Sequence, residues 1–268
     1  MTTAGNRLFN EGLSDVSKIA NMYTAQVLGF IRTAPTKITK INKPVAQAIA
    51  QAYEAMDDNY STSEETKKCY DALVFETIWQ YRYFLAAGYK IEVNNSEPYN
   101  SSQDMIEDLR VNKSIKIFST ESGFGANGIT DEMREKNPLL APTEFTDCNG
   151  VSLLVNDIFR AVHDFFGHAE LGNGFGAVGE ENAWRCHSTM FSDLALRALT
   201  TETKGQNSWV NFSGINDTDE IKQLRAQARK LRAAGQQDEA SKLVEKIYSL
   251  FQFAEQKNGL LPVEFCQL

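Results

Sequence analysis

Residues 155–168 read VNDIFRAVHDFFGH, and the architecture is read outward from them. Val155 to Phe166 forms a helical segment in a chain made mostly of such segments. Downstream, Asn182 to Lys204 reads as a second helix closed by Gly205. Upstream lies loop-rich ground, with Gly123, Gly125 and Gly128 and then Pro138, Pro142 and Asn149-Gly150. Earlier still, Leu13, Val16, Ile19, Ala20, Tyr23, Val27, Phe30 and Ile31 recur at helical steps, which predicts an amphipathic helix over 13–31. A helix from Pro44 to Met56 begins with proline in its first turn. A third, from Ser63-Glu64 to Gly88, is aromatic on more than one side and is expected to be central. Tyr89–Val93 and Ile115–Phe118 read as short strands, and Ser101/Ser102 cap a helix between them that reaches Asn112. At the other end Asp217/Thr218 open a basic helix, Gly235 breaks it, and a last amphipathic helix runs to Gly259.

Strands are too few for a doubly wound sheet. The expectation is a mainly α fold, α+β with a few short strands. It forms one helical domain over 1–268 around a metal site, with a peripheral C-terminal helical hairpin at 217–258. The 268 residues are 42% hydrophobic and 23% charged, a globular composition. The net charge of −8 argues against nucleic acid or anionic lipid as a partner, since both would repel the chain. No apolar run reaches the ~18 residues of a membrane span. No basic stretch precedes the first apolar run, and Ser14, Asp15 and Lys18 interrupt it. Cys69, Cys148, Cys186 and Cys266 form no CxxC pair and read as reduced, mostly buried thiols. A cytoplasmic protein is expected; the sequence does not define an oligomeric state.

The chain has three histidines, His163, His168 and His187, all within 25 residues. Asp164, Glu170, Glu180 and Glu181 share that segment, Asp157 precedes it and Glu202 follows. Imidazole with carboxylate is a ligand set for iron(II), zinc or manganese. His163 and His168 are five residues apart, which on a straight α-helix turns them about 140° from each other. Gly167 offers a remedy: a left-handed helix end there would swing His168 back towards His163. Asp164 and Arg160 are then placed to orient an imidazole or a substrate. The third ligand is open among three residues of the next segment, His187, Glu202 and Glu181. His187, Met190, Phe191, Leu194, Ala198, Thr201 and Glu202 form its inward stripe. His187 and Glu202 are 15 residues apart, roughly 22 Å along an unbroken helix. Both cannot bind one ion unless the helix breaks, and Ser192-Asp193 is the place for a break. Glu202 sits on the buried face at the C-terminal end, where burial and the helix dipole both disfavour a carboxylate without a cation. Glu181, at the helix start, needs no cation to explain it.

The run HDFFGHAEL, residues 163–171, resembles the iron-binding segment of prokaryotic aromatic amino acid hydroxylases. Those enzymes hold non-haem iron with two histidines of that segment and a glutamate on a later helix. The resemblance implies His163, His168 and Glu202 as ligands, with Thr200-Thr201-Glu202 as the glutamate segment. Glu170 stands where the family has proline. A pterin co-substrate and dioxygen are what the family implies. The longer pattern NDIFRAVHDFFGHA, then GEENAW, then ETKGQNSWVNF also resembles uncharacterised proteins of phages and bacteria.

The first expectation is therefore an iron-dependent monooxygenase that hydroxylates a small, aromatic or nucleobase-like substrate. A zinc hydrolase with Glu181 or Asp164 as general base is the second, and a phage-type structural protein with a metal staple the third. Gln206, Asn207 and Trp209, just after Glu202, are candidates to hydrogen-bond or stack a flat substrate or co-substrate. Gly172–Gly176 and the 123–128 loop lack a nucleotide-fold context and read as mobile loops beside the site. The basic run Lys222, Arg225, Arg229, Lys230 and Arg232 reads as a solvated helix face.

Overall fold

The computed structural model describes residues 11–124 and 128–267. Gly125 of the glycine loop and the first ten residues lie outside them. The fold is mainly α, with four short strands among the described residues, in two small sheets. Helix α1 (Ser14–Tyr23) buries Val16, Ala20 and Tyr23 and runs on into a π-helical turn, Thr24–Leu28. Helix α2 (Lys43–Ala55) has proline in its first turn. Helix α3 (Glu64–Ala86) starts at Ser63, whose hydroxyl accepts from the Thr66 amide. It is the central helix, packed against three others, as its aromatic faces predicted.

Strand β1 (Lys90–Asn94), helix α4 (Ser102–Asn112) and strand β2 (Ser114–Phe118) form a crossover unit. The strands pair in parallel with Ile91 opposite Ile115 and Val93 opposite Ile117. After short helices α5 (Thr120–Gly123) and α6 (Asp131–Lys136) comes an antiparallel hairpin, β3 (Pro142–Thr146) and β4 (Ser152–Leu154). The loop-rich reading passed over this hairpin. The Asp147 carboxylate organises its turn by accepting the amides of Asn149 and Val151, and it also accepts the amide of Val93 on β1, in the other sheet.

Helix α7 (Val155–Val162) sits between the two largest apolar clusters. Ile158, Val162 and the following Phe165 and Phe166 join Tyr81, Phe84 and Ile117. Val155 and Phe159 join Tyr70, Leu73, Trp184 and Leu199. Its start is tied down by Asp157, which accepts the Leu154 amide at 2.9 Å and both the amide and hydroxyl of Thr120.

The expected helix 182–204 is two helices, α8 (Ala177–Ser188) and α9 (Asp193–Thr200). The break falls at Ser192, whose side chain caps α9 while its amide and hydroxyl donate to buried Glu76. Another π-helical turn, Thr201–Gly205, leads to α10 (Gln206–Phe212). Helices α11 (Asp219–Ala233) and α12 (Gln237–Leu250) pack on each other around Ile221, Leu224 and Ile247. Helix α12 stops nine residues before the expected Gly259. The chain there is drawn across α2: Tyr53 donates to the Glu255 carbonyl, and Lys257 to the carbonyls of Tyr53, Glu54 and Met56. Cys69, Cys186 and Cys266 are buried free thiols and Cys148 is exposed. Among the described residues no helix is long and apolar enough to cross a membrane.

Candidate metal centre

Past Val162 the helix does not end. It widens into a π-helical turn, His163–Ala169, in which amides bond carbonyls five residues back. Residues five apart are then stacked, so His163 and His168 share a face without the left-handed glycine the spacing called for. Gly167 has another job. A Cβ on it would lie 3.0 Å from the Ala183 carbonyl and 3.3 Å from both Ala183 Cβ and His163 Cε1. Its bare backbone lets α8 come close to the histidines. The start of α8 is seated the same way: a Cβ on Gly179 would fall 1.8 Å from the Gly174 carbonyl. The Gly172–Gly176 segment is therefore packed, with Asn173 fully buried, where a mobile loop was expected.

This packing brings Glu180, in the first turn of α8, to the two histidines. Its Oε2 is 3.3 Å from His168 Nε2 and 3.9 Å from His163 Nε2. One ligand atom from each of the three residues lies within 4.8 Å of the others. An ion held at about 2.1 Å by such atoms keeps adjacent ligand atoms about 3.0–3.4 Å apart. The His168–Glu180 pair already has that spacing and His163 stands slightly wider. His168 Nδ1 is 3.2 Å from the Asn173 carbonyl, which can only accept, so the Nδ1 proton is committed there and Nε2 faces Glu180. Asn173 is held in turn by its amide to the His168 carbonyl and its side chain to the Gly167 carbonyl, each 2.8 Å. The donor set thus fits a divalent cation.

Electrostatics point the same way. Burial disfavours charge on His168, but the Glu180 carboxylate outweighs it and holds the imidazolium up to about 9. Burial would raise Glu180, but the two histidines hold it down to about 2. The cluster favours a positive charge at its centre, whether a proton or a metal. His187 is fully buried, and burial followed by the charge of His163 pushes it well below the usual imidazole range. Its Nδ1 lies 3.1 Å from His163 Nδ1 and its Nε2 2.7 Å from Gln80 Oε1. Phe159 stacks on His163 and Phe175 meets His168 edge-on, giving the imidazoles apolar flanks.

Glu202 is not in this cluster. It is buried, as the stripe required, but its partners are neutral: Tyr70 donates to Oε1 at 2.6 Å, and Gln206 and Gln256 to Oε2 at 3.0 and 3.1 Å. Burial, only partly offset by these donors, pushes its carboxyl up to about 7. Glu181 pairs with Lys204 at 3.6 Å, and that ammonium also stands 3.6 Å above the Trp184 ring. Of the suggested substrate-facing residues, Gln206 serves Glu202, Asn207 donates to the Ala177 carbonyl and Trp209 donates to Glu54. All three are used within the fold. Asp164 and Arg160 do belong near the histidines. Burial raises the Asp164 carboxyl against the opposing charges of His168, His163 and Arg160. Arg160 rests on the Phe118 ring. Glu170 closes a fully buried ion pair with Arg32 and accepts from Cys186 at 3.1 Å, which anchors the segment after the turn.

Comparison with protein-family models, with curated proteins and with solved structures finds no match for this chain.

Proposed function

We propose that the chain is a mononuclear non-haem iron oxygenase whose ion is held by His163 Nε2, His168 Nε2 and Glu180 Oε2. The observation that carries this reading is the convergence of those three atoms on one point beneath an apolar flank. The resemblance of HDFFGHAEL to the hydroxylase segment supports iron, with the carboxylate supplied 12 residues after His168 in place of Glu202. A two-histidine, one-carboxylate set leaves positions free on iron(II), which supplies dioxygen activation when bound. The protein's own part is to fix the imidazoles, keep water from the Phe159 and Phe175 side, and hold Asp164 where it can take or give a proton. A small aromatic or nucleobase-like substrate suits that flank, and an organic co-substrate such as a pterin would complete the electron supply.

A zinc hydrolase is the second reading, favoured by one observation. Asp164 is a carboxylate with a raised pKa beside the ligands, as a general base acting on a metal-bound water would be. Anaerobic reconstitution of untagged protein with iron(II) or zinc separates the readings. About one ion per chain is expected, with loss in His163→Ala, His168→Ala and Glu180→Ala. Oxygen uptake with iron and an electron donor supports the oxygenase. Hydrolysis with zinc and no oxygen uptake with iron replaces it by the hydrolase. Metal content unchanged in all three variants removes the metal centre altogether.

A further inference from the structure

The three histidines are one hydrogen-bonded unit, and its polarity can be worked out from its far end. Gln80, fully buried on α3, donates its side-chain amide to the Met190 carbonyl at 3.1 Å. That carbonyl cannot donate, so the amide nitrogen faces it and Gln80 Oε1 points the other way. Oε1 lies 2.7 Å from His187 Nε2 and can only accept, so the His187 proton sits on Nε2. A neutral His187 then has a bare Nδ1. His163 Nδ1, 3.1 Å away, must donate to it. In a neutral His163 ring the Nε2 lone pair then faces Glu180, whose Oε2 is 3.9 Å away.

From this chain we infer that Gln80 and His187 are positioning residues, which fix the orientation and tautomer of His163 so that Nε2 is a ready ligand. The inference rests on the proposed metal centre for its purpose, but not for its geometry. The α8–α9 break gains a role by it, because Met190 lies in the break and its carbonyl sets the direction of the whole relay. His168 has its Nδ1 proton fixed by a shorter route, through the Asn173 carbonyl, with Nε2 turned to Glu180. Both ligands therefore present Nε2 and hold Nδ1 in a hydrogen bond, the arrangement by which neighbouring groups orient metal-bound imidazoles. A third histidine is thereby explained without being a ligand. Its ring is packed among Phe159, Phe166 and Phe191, which hold it in line.

The test uses the full chain and zinc, which is redox-inert and diamagnetic. Long-range proton–nitrogen correlation on 15N-labelled wild type is expected to show His163 protonated on Nδ1 and His187 on Nε2. Zinc affinity, measured by competition with a chromophoric chelator, is expected to fall about 10–100-fold in Gln80→Leu and His187→Phe. His187→Gln keeps an acceptor for His163 and a donor for Gln80, and should recover most of that loss. A purely structural role for His187 predicts no such rescue and no tautomer preference. Zinc binding as tight as wild type in Gln80→Leu and His187→Phe overturns the inference. So does a His163 protonated on Nε2 in the metal-free wild type, and this measurement needs no variant to fold. If wild type binds no zinc yet His163 is protonated on Nδ1, the metal reading fails while the relay stands.

Discussion

Glu202→Gln is expected to remove much of the protein's loss of stability between about pH 4.5 and 7. The ordinary glutamate value is 4.5, and in the fold Glu202 is raised to about 7. As pH rises through 4.5 the unfolded chain releases this proton while the native protein keeps it. The native state then binds more protons, so its stability declines across the window until Glu202 itself ionises near 7. At about 1.4 kcal/mol per pH unit, that interval is worth about 3–4 kcal/mol as an upper figure. The side chain is only 6% exposed, so solvent screens little of it. Glutamine mimics the protonated acid. Its oxygen still accepts from Tyr70, and Gln206 and Gln256 can turn their amides to meet its NH2 group. The test is urea unfolding of both proteins at pH 4.5 and pH 8 with a chelator present, so that metal binding is absent from both. Other titrating groups are common to the two proteins and cancel in the difference. The variant should match wild type closely at pH 4.5 and exceed it at pH 8. Equal pH dependence, or a variant weaker at pH 8, refutes the reasoning.

Glu181→Ala and Glu202→Ala should retain the metal that Glu180→Ala loses, as measured by metal analysis after desalting; loss in Glu202→Ala alone would restore the hydroxylase ligand set. Metal affinity should rise with pH, up to about tenfold per unit, and level off near 9, because the ion must displace the proton that Glu180 holds on His168; isothermal titration across pH 6–10 checks this, and a flat profile counts against it. Gly167→Ala should cost about 1–3 kcal/mol in thermal unfolding and weaken metal binding, since its methyl group would press on Ala183 and on His163. An unchanged melting temperature would show that the helices separate freely there.

Apolar spacing and capping residues carried most of the fold. Ser63, Ser101 and Thr218 cap the helices they were expected to cap. Both expected strands are present, and their parallel pairing follows from the helix between them. The hairpin was hidden because its strands are short and its order comes from Asp147, a residue with no periodic signature. For the site, the clustered histidines were legible and the third ligand was not. Glu180 and Glu181 are neighbours, about 100° apart on a helix, and which one faces the histidines depends on how α8 is seated. That seating is set by the close approaches at Gly167 and Gly179, which depend on tertiary packing. Glu202 was rightly read as buried. The compensation read as a cation comes instead from Tyr70 and Gln256, distant in sequence, and from Gln206.

The turn at His163–Ala169 also bears on chain length. An α-helix places residues four apart on one face, so two histidines with three residues between them would already share a side. Here four residues intervene, and the wider turn takes up the surplus. Within that span Phe165 and Phe166 are both fully buried in the core beside α3, while the imidazoles face Glu180. Two adjacent rings anchored beside α3 and two buried histidines aligned towards α8 are separate demands on one short segment. The extra residue is what lets a single helix meet both.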